Sequence, residues 1–250
     1  MAPNPPKEQT LKNYVSENLK HSEKKVTRKI RQSKQIDPGP SIEEVKDYLV
    51  ANGIVKEETD LEKIRDIKNL KLTGINDEDL KYIVSLTNLK ELSIKGAQLE
   101  SLDDLKKLPN LSILEIEGAV IGDYRALSEM PFLKELEIER SNLESLDYIK
   151  DLQNLVKLDI DQSLVTDLSP LTNLSKLEEL VMDGLQIEDL SVIKNLPNLK
   201  ELDLEFMNVG DASYLYELSS LKKLNLKGSV ISYEDLQELK RRMPKLNIRR

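Results

Sequence analysis

The sequence predicts an α/β solenoid, a curved right-handed superhelix with a parallel concave β-sheet along one side and a helical cap at each end. Apolar residues recur in fixed columns with a period of 22 residues. In addition, 33% of the residues are charged and only 4% are aromatic. A core with so few rings is built from Leu, Ile and Val, and a large charged surface suits an elongated stack of repeats better than a compact globule.

Eight units follow one another without an insertion, beginning at Asp66, Asn88, Asn110, Phe132, Asn154, Lys176, Asn198 and Ser220. The second, fifth and seventh positions are apolar in every unit, as in Leu133, Leu136 and Ile138. Alternation of these positions predicts a short strand with one buried face. Later apolar columns lie three residues apart and predict a short helical or 3₁₀ return. One such leucine-rich repeat cannot fold alone, so the units must stack with parallel strands.

The chain divides into four segments. Residues 1–40 hold nine Lys or Arg and four Asp or Glu, a net charge of +5, and form a basic arm or linker flanked by prolines. Residues 41–65 predict a helical cap, because Ser41 and Glu44 have the spacing of a capping box. The repeats span residues 66–231, and residues 232–250 predict a closing helical cap and tail. The total net charge is −8, so the remainder of the chain carries −13.

Several classes of site are excluded by composition. The absence of Cys removes disulfides and thiolate sites, and a single His removes any site that needs two histidines. No apolar run approaches the ~20 residues of a membrane span. The polar start of the chain is not a signal peptide, although a chain that begins after a removed signal would look the same. Asp159 and Asp161 could act as acid and base, but no pocket, nucleophile or cofactor motif accompanies them, which predicts a protein that is not an enzyme and needs no cofactor.

Two stretches point to a family. Thr166–Leu174 reads TDLSPLTNL and Thr59–Ile64 reads TDLEKI. They resemble the internalin-type leucine-rich repeats of bacterial surface proteins and the helical cap that precedes such arrays. The resemblance covers about residues 41–245. It implies a concave sheet that binds other proteins, and a surface or secreted location with any signal outside this chain; a cytoplasmic location is the alternative.

The tenth position of the units departs from that family. Internalin-type repeats normally carry Asn there, and its amide ties adjacent turns together. This chain instead has Ala97, Ala119, Ser141, Ser163, Leu185, Met207 and Ser229. Its turns must therefore satisfy their backbone polar groups in another way.

Acidic residues dominate the strand positions expected to be exposed. In the five units from Asn110 to Ser219, the fourth, sixth and eighth positions hold 12 acids, one base and two apolar residues. The acids are Glu115, Glu117, Glu135, Glu137, Glu139, Asp159, Asp161, Glu179, Asp183, Glu201, Asp203 and Glu205. Adjacent strands lie about 4.8 Å apart, so neighbouring acids would repel by roughly 0.8 kcal/mol per pair even in a water-like dielectric.

This pattern gives the hypothesis that the concave face binds a basic protein or peptide segment, with a polyamine or Ca²⁺ as other cations that it could take. A face built only for solubility would mix Lys with Glu. Nucleic acid is excluded as a partner of the repeats, because the acids repel phosphate. Phe206, at the ninth position beside Glu205, is either an exposed anchor or a packing residue, and Arg140 in the same column is a solvated or bridging residue.

A second hypothesis concerns the basic arm. Its cations could lie along the acidic face of the same or a neighbouring molecule, as in an intracellular scaffold or a self-assembling protein. These cations are Lys24, Lys25, Arg28, Lys29, Arg31 and Lys34. The alternative is a solvated tether to a membrane or to another domain.

Overall fold

The computed structural model describes residues 39–250. The six cations of the basic arm, and with them the hypothesis of self-docking, lie outside the described residues. Residues Pro40–Arg250 form one unit by contact.

Four α-helices lie in this part of the chain: α1 Ile42–Ala51, α2 Leu61–Arg65, α3 Asp77–Ile83 and α4 Tyr233–Arg242. α1 begins at a capping box, in which Ser41 N–H donates to the Glu44 carboxylate at 2.7 Å and Glu44 N–H donates to Ser41 Oγ at 3.2 Å. Val45 and Leu49 are buried and belong to the same core as the repeats. α1 therefore covers the apolar end that the first repeat would otherwise expose to water.

The strands are short and parallel: β1 Asn69–Thr73, β2 Glu91–Lys95, β3 Gln98–Leu99, β4 Ile113–Glu117, β5 Val120–Ile121, β6 Glu135–Glu139, β7 Lys157–Asp159, β8 Glu179–Val181, β9 Glu201–Asp203, β10 Lys223–Asn225 and β11 Asn247–Arg249. Nine of them form one sheet in the order β1-β2-β4-β6-β7-β8-β9-β10-β11, and β3 pairs with β5. Five 3₁₀ segments lie between the strands: Asp103–Lys107, Arg125–Glu129, Ser169–Asn173, Ser191–Asn195 and Ala212–Glu217. This alternation confirms the predicted leucine-rich repeat solenoid.

The leucine columns set the register of the sheet. Leu114 lies opposite Leu136, and Leu136 lies opposite Leu158, with all three side chains fully buried. Burying one such side chain stabilises the fold by about 1.5–3 kcal/mol. A slip of one residue would turn the whole column to the solvent, so the apolar pattern fixes which strand positions face outward.

The C-terminal end contains an element that sequence reasoning missed. Ser232 caps the N-terminus of α4, because its Oγ accepts from Asp235 N–H at 2.9 Å, and the helix buries Leu236 and Leu239. The chain then adds β11 beside β10, so the tail is part of the sheet. Ile248 of β11 packs against the core, which gives this last strand the same inward anchor as the strands of the repeats.

The missing tenth-position Asn is replaced in one turn by Asn142, one position later. Its Oδ1 accepts from Ile121 N–H at 3.0 Å and from the Tyr124 hydroxyl at 3.0 Å, and its Nδ2 donates to the Ile121 carbonyl at 2.9 Å. Ala97 and Ala119 at the tenth position are buried without a polar group to satisfy. Directly after these two alanines, the pairing of β3 with β5 supplies the backbone hydrogen bonds between the two units.

The ninth residue of each unit has a left-handed backbone, with φ between 49° and 69°. In the first seven units its N–H donates to the eighth-position carbonyl of the next unit, as from Arg140 to Asp161 at 2.8 Å, so the ladder continues while the chain turns away from the sheet. Glycine occupies this position in five units, and Arg140, Gln162 and Phe206 occupy it in the other three. A non-glycine residue in this conformation costs about 1–2 kcal/mol.

Candidate functional site

The register brings the predicted acids into neighbouring rows on the outward side of the sheet, here called the sheet face. Glu115 lies opposite Glu137, Glu137 opposite Asp159, and Glu117 opposite Glu139. All 12 predicted acids are half-buried rather than fully exposed. Half-burial makes their charges less well solvated, so their mutual repulsion is stronger than it would be in open water.

One cation lies among these acids. Lys157 Nζ is 2.5 Å from Glu137 Oε1 and 3.5 Å from Glu179 Oε1. The side chains of Lys157 and Glu137 are only 28% and 18% exposed. Burial alone would lower the pKa of Lys157, but the hydrogen bond and charge of Glu137, together with Glu179, outweigh it and raise that pKa. Lys157 therefore remains charged and neutralises acids on both neighbouring strands.

Cations at the edges neutralise three further acids, in the pairs Lys95–Glu117 (2.5 Å), Arg140–Glu117 (3.1 Å), Lys223–Glu201 (2.7 Å) and Lys227–Glu205. About half of each cationic side chain is exposed, so solvent screens these pairs and each contributes little to the stability of the fold. The continuous ladder of like charge expected from the sequence is thus interrupted by the protein's own cations.

Seven of the 12 acids have no ion pair among residues 39–250: Glu115, Glu135, Glu139, Asp159, Asp161, Asp183 and Asp203. The four aspartates lie on three adjacent units and are called the central aspartate cluster. Burial, with the nearby charges of Glu139 and Glu137, raises the pKa of Asp159 to about 7. Burial also raises the pKa of Asp183, to which the hydrogen bond and charge of Asp203 contribute.

The donors that hold the cluster are neutral groups. Asp183 Oδ1 and Asp203 Oδ1 both accept from Glu205 N–H, at 3.1 and 3.0 Å. Asn225 Nδ2 donates to Asp203 Oδ2 at 2.8 Å. Carboxylate oxygens of Asp183, Asp203 and Glu205 lie within 4.8 Å of one another. Asp161 Oδ1 is buried and has no hydrogen-bond partner among residues 39–250. Carboxylates held this close attract cations in general, whether ammonium, guanidinium or Ca²⁺.

A shallow depression of about 250 Å³ lies beside the cluster. Val181, which lies between Asp159 and Asp203 at the sixth position of its unit, lines this depression together with Glu179 and Lys223. The lining contains three acids (Glu179, Glu201 and Asp203) and two bases (Lys223 and Arg249). Its apolar part suits the aliphatic stem of a Lys or Arg side chain, and its acids suit the charged head.

Both predicted ninth-position residues can now be placed. Phe206 is 64% exposed, yet its ring lies over Gly228, where an added Cβ would be 2.4 Å from Phe206 Cδ1. Arg140 bridges to Glu117. Sequence reasoning missed Gln162, whose Nε2 donates to Asp161 Oδ2 at 3.0 Å, and Asn225. The signal for Gln162 was its place in a column that is otherwise mainly glycine.

Comparison with known proteins was informative only at the level of structure, since no family model and no curated protein matches the sequence. An internalin (inlF) from Listeria monocytogenes is 24% identical, with a TM-score of 0.67, over 83% of this chain and 61% of that one. Internalin C2 from the same species is 27% identical, with a TM-score of 0.53, over 74% of this chain and 91% of that one. A leucine-rich repeat protein from Leptospira interrogans is 25% identical, with a TM-score of 0.57, over 74% of this chain and 55% of that one.

The chain has the internalin-type leucine-rich repeat fold. Such folds are typically protein-binding modules and are usually not enzymes. This chain spans only 61% of the first internalin, so it matches part of that protein. No helix within residues 39–250 is long and apolar enough to cross a membrane.

Proposed function

We propose that this internalin-type repeat domain binds another protein through the sheet face, and that the bound segment is rich in Lys or Arg. The observation that carries the proposal is the central aspartate cluster, four half-buried carboxyl groups that form no ion pair among the described residues, although the charges of Lys157 and Arg140 act on Asp159 and Asp161 from a greater distance. Half-buried carboxylates without a counter-charge cost free energy, and a docked cation relieves that cost.

The chain's own lysines indicate how a partner cation would sit. Lys157 lies between Glu137 and Glu179 on the two strands that flank its own. The cluster offers further carboxylates at Asp159 and Asp183, and neither of them forms an ion pair with a lysine among residues 39–250. A basic segment that crosses the strands would place successive cations over successive strands, because the strands repeat at about 4.8 Å.

The competing interpretation is a face that is charged for solubility alone. Solubility favours well-hydrated charges of mixed sign, because like charges in contact destabilise a sheet. Asp159 is the opposite of a well-hydrated charge, because burial raises its pKa to about 7 and it lies beside other acids. The arrangement therefore supports a binding face better than a solvated one.

A charge-reversal experiment tests the proposal. A fluorescent synthetic peptide of Lys and Ser is titrated with the wild type, with the double variant Asp159→Lys and Asp183→Lys, and with a control that reverses the exposed Glu144 and Glu188. Both variants change the net charge equally. At ~150 mM salt, where charges more than about 8 Å apart are screened, the first variant is expected to lose at least about tenfold in affinity and the control about twofold or less.

Equal losses in the two variants would contradict the proposal, because the peptide would then respond only to net charge. The double variant Asp159→Asn and Asp183→Asn provides a second measurement if the reversal disturbs folding. Competition with spermine and CaCl₂ separates the possible cations. Displacement of the peptide by micromolar Ca²⁺ would overturn the assignment to a protein segment in favour of a metal ion.

A further inference from the structure

The left-handed ninth position of the repeats carries a side chain in three units only, at Arg140, Gln162 and Phe206. Glycine meets the same backbone requirement without strain, and it does so at Gly184, between Gln162 and Phe206 in the row. Asn, Asp and His are the residues that tolerate this conformation best after glycine, and none of the three is of that kind. The fold by itself does not account for the choice of Arg, Gln and Phe.

Contacts inside the fold do little to offset the strain. Arg140 makes an ion pair with Glu117 and its side chain is 55% exposed. Gln162 is exposed and donates one hydrogen bond to Asp161. Phe206 stays 64% exposed although one side of its ring meets Gly228. Exposed contacts of this type stabilise a fold weakly. Strained backbone that persists where glycine would remove the strain is concentrated at functional surfaces.

The ninth-position row, from Arg140 to Phe206, lies beside the acids of the sheet face. Each ninth residue directly follows an eighth-position acid, so Gln162 adjoins Asp161 and Phe206 adjoins Glu205. Gly184 leaves a gap in the row beside Asp183, the aspartate whose neighbours are other acids. At about 4.8 Å per strand, the row from Arg140 to Phe206 is about 15 Å long, which is the length of four or five residues of extended chain.

We propose that Arg140, Gln162 and Phe206 form a specificity edge of the binding surface, and that the bound segment carries an apolar side chain beside a basic one. The inference rests on the proposed function. The apolar side chain packs on the ring of Phe206, and the basic residue reaches Asp183 through the gap at Gly184. Arg140 and Gln162 donate N–H groups to carbonyl oxygens of the extended segment. Lys227 Nζ lies 5.5 Å from the Phe206 ring centroid, so the ring already has a cation of the fold beside it and offers the bound segment mainly an apolar contact.

Two synthetic peptides of equal charge test the edge, one of Lys and Ser and the other of Lys and Leu. The wild type is expected to bind the Lys–Leu peptide about tenfold more tightly, because an exposed aromatic ring at an interface acts as an anchor. Phe206→Ala should abolish this preference and leave the affinity for the Lys–Ser peptide within about twofold. The matched control is Phe132→Ala, which removes the other Phe of the chain, 67% exposed and at the first position of its unit.

Stability provides the second readout. Arg140→Gly and Gln162→Gly should each raise the melting temperature by about 2–4 °C through relief of the left-handed strain, while each weakens the Lys–Leu peptide about threefold or more. A merely structural role for these residues would lower stability and affinity together.

The outcomes separate this inference from the function on which it rests. Equal affinity of the wild type for the two peptides, or a preference that survives Phe206→Ala, overturns the specificity edge and leaves the charge-based proposal standing. Failure of the wild type to bind either peptide overturns both. A fall in melting temperature on Arg140→Gly and Gln162→Gly overturns the premise that the fold alone would favour glycine there.

Discussion

The protein is expected to become more stable, not less, as the pH falls from about 8 to about 6. The pKa of Asp159 lies near 7 in the folded chain because the group is buried among acids, and the pKa of Asp183 is raised for the same reasons. Unfolding returns both groups to about 3.9. A raised carboxyl pKa means that the folded protein binds the extra proton. This contribution to stability is complete below about pH 4 and is lost as the pH rises through about 7.

At still lower pH the sign reverses. The hydrogen bond and charge of Lys95 lower the pKa of Glu117, and the hydrogen bond and charge of Lys227 lower that of Glu205. Protonation of these acids removes their ion pairs, so stability falls again below about pH 4. The highest melting temperature is therefore expected at mildly acidic pH, between the two groups of titrations.

Calorimetric melts across this range check the expectation. Asp159→Asn and Asp183→Asn together should flatten the dependence of the melting temperature between about pH 6 and pH 8. The measurements are made in a His21→Gln background, which removes the one side chain type whose ordinary pKa lies in this window. A melting temperature that falls steadily from about pH 8 to pH 6, or a slope that survives in the double Asn variant, would contradict the assigned burial of these carboxyls.

Replacement of Lys157 is expected to change stability and binding in opposite directions. Lys157→Met keeps the aliphatic stem but leaves Glu137 and Glu179 without their cation. The pair with Glu137 is neither fully buried nor exposed, so the loss of unfolding free energy should lie between the values for surface and buried pairs, at about 1–3 kcal/mol. The two freed acids enlarge the cation-binding face, so the affinity for the Lys–Ser peptide should rise about tenfold.

Denaturant unfolding and peptide titration measure the two effects on the same samples. Lys223→Met is the matched control, because its pair with Glu201 is more exposed, at 61% and 42%, and its removal should lower the free energy of unfolding less than Lys157→Met does. A Lys157→Met protein with the stability and the peptide affinity of the wild type would show that charge on the sheet face influences neither property.

The apolar columns made the sheet predictable. Leu114, Leu136 and Leu158 recur at one period and lie opposite one another in the sheet, so the outward positions followed from the inward ones. The C-terminal end of the stack was harder to predict, because α4 replaces the usual return segment before β11 continues the ladder. The apolar pattern predicted a helix and a tail but not β11, although Leu246 and Ile248 alternate as strand residues do.

The electrostatic detail was not predictable from the column pattern. Lys157 reaches acids on both flanking strands, and Lys227 reaches back to Glu205, through side-chain conformations that a sequence does not specify. A count of acids therefore overestimated the repulsion at the edges of the face. The left-handed ninth position was visible as a glycine column, but its meaning for Gln162 needed the backbone angle of 49°.

Proton exchange on binding tests most directly whether a docked cation offsets the cost of the unpaired carboxylates in the central aspartate cluster. The Lys–Ser peptide is titrated calorimetrically into the protein at about pH 7 in two buffers with different ionisation enthalpies. The expected result is a net release of about one proton per peptide, absent in the double variant Asp159→Asn and Asp183→Asn. Binding heats that are equal in the two buffers, or a net uptake of protons, would contradict the role assigned to these aspartates.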